Sequence, residues 1–141
     1  MALDFPVEGV ELSLLLVVSD LERSRHFYRD VLGAREVREY GGTSAVLQFA
    51  GTWLLLVTGG GPTPDKPTVT FTPPASKQVA SSELTIRVPD CRGAYEVLQA
   101  RGASFMTPPM EYDWEIRCFF HDPDGHLLEI SEVRDVAKES R

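Results

Sequence analysis

Residues Glu11–Asp20 read ELSLLLVVSD, and seventy positions on Ser81–Asp90 read SSELTIRVPD. The two stretches rhyme: Leu14 falls on Leu84, Leu16 on Ile86, Val18 on Val88 and Asp20 on Asp90. Each alternates as a strand with one buried face does. Each then ends on an aspartate placed to accept the free N–H groups of a following helix. Helices are expected over Leu21–Leu32 and Cys91–Arg101, with Gly33 and Gly102 where left-handed caps are wanted. Strand-like segments follow each helix: Ala34–Tyr40, Thr43–Ala50 and Thr52–Thr58, then Ser104–Pro108, Glu115–His121 and His126–Val133. Asp122-Pro123-Asp124-Gly125 suits a type I turn. The pattern is an α+β fold of two βαβββ modules, residues 9–58 and 81–133. Residues 59–80 form a Gly/Pro-rich linker with room for an edge strand at Thr68–Thr72, and 134–141 read as a loose tail.

Length and charge agree with this reading. The chain has 141 residues, 14 basic against 21 acidic, for a net charge of −7. No Lys/Arg cluster relieves that field, so a phosphate backbone is not an expected partner. The longest apolar runs, such as Leu14–Val18, fall far short of a membrane span, and no basic leader opens the chain. Cys91 and Cys118 are too few for a disulfide framework or zinc finger and read as two reduced thiols, so a cytoplasmic location is expected.

One such module presents a curved sheet with an apolar face that it cannot close alone. Two sheets side by side, from one chain or from two copies, enclose a cup with helices outside it, and such a cup is the default site for a small molecule. Parity along the strands predicts the lining. The first module contributes Ser13, Leu15, Val17, Ala45, Leu47, Trp53, Leu55 and Val57. The second contributes Glu83, Thr85, Arg87, Arg117, Phe119, Leu127 and Glu129, with Trp114 and Tyr112 close by. Arg87 and Arg117 suit a carboxylate, and Glu83 or Glu129 an amine or hydroxyl. The charges serve a ligand or pair internally, for example Glu83 with Arg117. His26 belongs to the surface, and His126 has the parity that faces away from the cup. His121 either looks inward near the rim or bonds backbone beside the turn. Cys118 has outward parity.

The runs Val18-Ser19-Asp20-Leu21-Glu22-Arg23-Ser24, Phe27-Tyr28-Arg29-Asp30-Val31-Leu32-Gly33 and Asp122-Pro123-Asp124-Gly125-His126-Leu127-Leu128-Glu129 resemble the vicinal oxygen chelate superfamily. It includes glyoxalase I, extradiol dioxygenases, fosfomycin-modifying transferases and bleomycin resistance proteins. The resemblance spans about residues 9–133 and implies paired βαβββ modules, a homodimer, and in the enzymes a divalent metal in the cup. Carried over by motif, the four metal-ligand positions are Ser13, Leu55, Glu83 and Glu129. A leucine cannot ligate, and a serine hydroxyl is a poor ligand for Zn, Ni or Fe(II). The expectation is a small-molecule-binding protein of this family with no cofactor. The alternative is a metal-dependent lyase, isomerase or dioxygenase in which Glu83 and Glu129 are the catalytic and metal-binding residues.

Overall fold

The computed structural model describes residues 4–134, so most of the expected tail lies outside the described residues. The first module runs β1 (Ser13–Val18), α1 (Leu21–His26), β2 (Arg35–Tyr40), β3 (Ser44–Phe49) and β4 (Thr52–Thr58). The second runs β5 (Glu83–Arg87), α2 (Cys91–Ala100), β6 (Met110–Glu111), β7 (Glu115–His121) and β8 (Leu127–Val133). Each module forms a four-stranded mixed sheet, ordered β1-β4-β3-β2 and β5-β8-β7-β6. The pairs β1–β4 and β5–β8 are parallel, as the crossover helices require.

The rhyming aspartates act as expected. Asp20 Oδ1 accepts from Arg23 N at 3.1 Å, and Asp90 Oδ1 accepts from Gly93 N at 3.0 Å. The first helix does not run uniformly to Leu32. It widens into a π-helical turn over Phe27–Val31, and that turn buries Phe27, Tyr28 and Val31 together. No strand forms between Thr58 and Glu83 among the described residues; Phe71 makes only an isolated bridge with Gly60. Ser104–Pro108 is likewise not a strand. Prolines 108 and 109 lack N–H donors, and the short β6 starts at Met110.

The sheets carry their helices on the face opposite the cup, and these helix-bearing faces share one apolar core. Leu16, Val18, Leu54 and Leu56 from one module join Ile116, Phe120, Leu128 and Ile130 from the other. Among the described residues no strand hydrogen bond joins the two sheets, which do not close on each other.

The motifs that carry the family resemblance turn out to fasten the modules together. Asp122 is buried; its Oδ1 accepts from Asp124 N at 2.9 Å and His126 N at 2.8 Å, and its Oδ2 from Tyr28 Oη at 2.8 Å. Asp124 accepts from Ser19 N at 3.0 Å and from the side chains of Ser19, Arg23 and Ser24. His126 Nε2 donates to Val17 O at 2.8 Å, on the outer edge of β1.

Candidate functional site

The open face of the second sheet is set by the β5–β8–β7 register. Thr85, Glu129 and Phe119 stand side by side, flanked by Glu83, Leu127 and His121 on one side and Arg87, Ser131 and Arg117 on the other. Every residue expected from β5, β7 and β8 is therefore on this face. His121 bonds backbone, its Nε2 lying 3.1 Å from Lys77 O.

The charges pair differently from the expected Glu83–Arg117 contact. Glu115, the first residue of β7, is 7% exposed and takes up both arginines. Arg87 Nη1 donates to Glu115 Oε2 at 3.0 Å and to Ser131 Oγ at 3.0 Å, and Arg117 Nη1 donates to Glu115 Oε1 at 2.8 Å. Arg117 also lies over the rings of Tyr112 and Phe119, 4.7 and 5.6 Å from their centroids. Burial disfavours the Glu115 carboxylate, but the two guanidinium hydrogen bonds outweigh it and hold the carboxyl below its usual range. Strand alternation extended two residues from Arg117 and Glu129 would have found Glu115 and Ser131.

Glu83 accepts from Thr85 Oγ1 at 2.7 Å. Its other close partner is Glu129, which is 6% exposed. Burial, then the hydrogen bond and negative charge of Glu83, push the Glu129 carboxyl up to about 7, against the pull of Arg117.

The first sheet's open face needs one correction. Ser13, Leu15 and Val17 stand opposite Trp53, Leu55 and Val57 as expected. Ala45 and Leu47 do not join them: both are fully buried on the helix side, and Ser44, Val46 and Gln48 take their places opposite Val57, Leu55 and Trp53. The reason lies in the turn. Ala50 and Gly51 both adopt positive φ, 50° and 76°, in a two-residue hairpin whose length fixes Phe49 opposite Thr52. Apolar character alone pointed to the wrong parity. Trp114 sits just ahead of β7 and is 58% exposed.

The residues at the family's metal positions do not fit a metal. Leu55 has no lone pair to offer, and no group of three or more His, Cys, Asp or Glu ligands gathers among the described residues. Neither cysteine is a nucleophile: both are buried and free, and burial pushes the Cys118 thiol up to about 12.

The sequence model of the Glyoxalase/Bleomycin resistance protein/Dioxygenase superfamily matches residues 12–130. The chain belongs to that superfamily. Among solved structures, a glyoxalase/bleomycin resistance protein/dioxygenase from Nocardioides is 26% identical, with a TM-score of 0.74 over 92% of this chain and 86% of that one. The antibiotic-binding protein TnmS3 from Streptomyces sp. CB03234 is 23% identical, with a TM-score of 0.63 over 91% of this chain and 100% of that one. The fosfomycin resistance protein FosX from Listeria monocytogenes is 17% identical, with a TM-score of 0.70 over 96% of this chain and 98% of that one. The last two likenesses speak to the fold of this superfamily member. No curated protein sequence matches the chain. No helix among the described residues is long and apolar enough to cross a membrane.

Proposed function

We propose that this superfamily member binds a small organic molecule between its two open sheet faces and uses no catalytic metal there. The donor set carries the reading. Of the four family ligand positions, one is Leu55 and one is Ser13 set against Trp53. Of the two acids that remain, Glu83 accepts from Thr85, and burial with the charge of Glu83 keeps Glu129 protonated up to about pH 7. What is left is a cup with an apolar wall and a polar wall, whose two carboxylates are too few to hold Zn, Ni or Fe(II) firmly.

The proposal includes a homodimer. Strands β1 and β5 are sheet edges, and exposed apolar residues flank β1: Leu12 at 88%, then Leu14 and Leu15. Setting β1 of one copy beside β5 of another would cover those groups and bring the two walls together. A cleft of about 570 Å³ already lies by the start of both strands, with Leu14, Glu83 and Leu127 in its lining. Two buried free thiols suit a reducing cytoplasm, and the net charge of −7 argues against a nucleic-acid partner.

The Glu83–Glu129 pair supports one second reading, metal-free proton transfer, because a buried carboxyl that titrates near 7 can act as a general base. TnmS3, a protein of this fold described as antibiotic-binding, guides the choice of ligands to test. Isothermal titration of the purified protein against aromatic and cationic antibiotics, with elemental analysis after chelator-free purification, decides the matter. Saturable binding with only traces of metal is expected. About one equivalent of Ni, Zn, Mn or Fe that E129A removes would overturn the proposal, as would the absence of saturable binding.

A further inference from the structure

Strand β2 reads Arg-Glu-Val-Arg-Glu-Tyr from Arg35 to Tyr40. In a strand of unbroken alternation Arg35 and Arg38 would point to opposite faces. The register slips at Val37 and reverses that outcome. Arg35 stands opposite Gln48 and Arg38 opposite Val46, both on the open face, while Glu36 and Glu39 stand opposite Leu47 and Ala45 on the helix side. A bulge of this kind re-aims side chains, and here it sorts charge by sign. Both acids are taken up by Arg25 of α1, Glu36 through a 2.6 Å contact.

The arginines are left without a carboxylate. Among the described residues neither Arg35 nor Arg38 forms an ion pair; Arg35 donates to Gln48 Oε1, and Arg38 donates to the Tyr40 hydroxyl at 3.3 Å. Their counterparts on the second wall, Arg87 and Arg117, are already committed to Glu115. A ligand's negative group therefore meets two guanidinium groups already sharing one carboxylate on one wall and two without a carboxylate on the other. On the same face β3 sets Gln48 and Val46 beside the arginines, and β4, one strand further on, presents the apolar side chains Trp53 and Leu55.

We propose that Arg35 and Arg38 form an oxyanion subsite, taking the carboxylate, sulfonate or phosphonate group of a ligand whose apolar body rests on Trp53 and Leu55. This rests on the reading of the open faces as a ligand site. Two adjacent guanidinium forks match the geometry of such groups and overcome the repulsion of a chain with net charge −7.

The test is an NMR titration of the full chain at low salt with benzoate, phenylphosphonate, benzylamine and benzyl alcohol. The amides of β2 and the Trp53 indole N–H are the reporters. Both anions shift these signals, R35Q and R38Q each weaken anion binding about tenfold, and binding of benzyl alcohol is unchanged. The arginines are exposed, so the glutamine variants keep the fold. The subsite is refuted if the R35Q/R38Q double variant binds benzoate like the wild type, or if benzylamine binds this wall more tightly than benzoate. Anion shifts confined to the neighbourhood of Arg87 and Arg117 refute the subsite but leave the cup reading standing. Silence of both walls towards all four probes refutes both.

Discussion

Strands β2 and β6 hold the same place at the outer edge of their sheets, yet they are built differently. β2 spans six residues, is bulged and carries two unpaired arginines; β6 spans two residues and follows a pair of prolines. The walls behind them differ in the same sense. The second wall buries its key carboxylate, Glu115, and must supply partners for it, because an unpaired buried charge is costly. The first wall is apolar near its centre, needs no internal pairing, and leaves its charge at the rim. The turns also diverge. Asp122 of the second module fastens it to Tyr28 of the first, whereas Thr52, seventy residues earlier, is an exposed residue with no such task. Duplicated strand order thus constrains the architecture and leaves each wall free to handle charge in its own way.

The sharpest way to break the comparison is at β3. L47A removes a fully buried side chain from the core and should cost about 3 kcal/mol in urea unfolding, while V46A on the open face costs roughly 1 kcal/mol or less. The reverse ranking would mean that the hairpin register is wrong. Next comes the turn: D122A orphans the Tyr28 hydroxyl and the Asp124 and His126 amides. It should cost about 2–3 kcal/mol, against roughly 0.5 kcal/mol or less for T52A, measured the same way. E115A frees Arg87 and Arg117, whose side chains are 39% and 37% exposed. Solvent screens them, so the expected loss is roughly 1–2 kcal/mol.

The smallest effect is a pH dependence. Glu129 keeps in the folded state, up to about pH 7, a proton that the unfolded chain releases near 4.5. Its contribution to stability is therefore fully present below pH 4.5 and lost as pH rises through 7. The groups facing it are Glu83, Glu115 and Arg117. E129Q cannot titrate, so the melting temperature of the wild type should fall relative to E129Q between pH 5 and pH 8. Parallel curves would show that the Glu129 carboxyl is not raised in the folded state.

Much of the fold was legible because it rests on local signals. Asp20 and Asp90 cap the helices they precede in sequence, and the alternation of β1 and β5 declares which face is buried. The open face was legible wherever a strand keeps its period from a secure starting point, as from Glu83 to Arg87 or from Arg117 to His121. It failed at Ala45 and Leu47, because a two-residue turn and a three-residue turn give opposite parities and the residues themselves do not say which one forms. Arg35 and Arg38 went unnoticed for the same kind of reason, since a bulge leaves no mark in composition. The expected Glu83–Arg117 pair missed Glu115, whose role comes from the partner strands beside it.

Taken alone, the sequence determined two βαβββ modules, their caps and turns, and membership of a recognisable family. These follow from residue identity and short-range periodicity, which act along the chain. Tertiary structure alone decided which of two opposed faces each strand of the first sheet presents. It decided that Asp122 and Asp124 join the modules, that Glu115 pairs with both Arg87 and Arg117, and that Arg35 and Arg38 share an open face. Each of these depends on register between strands or on contacts across about a hundred residues, and both are set by the packing of one segment against another.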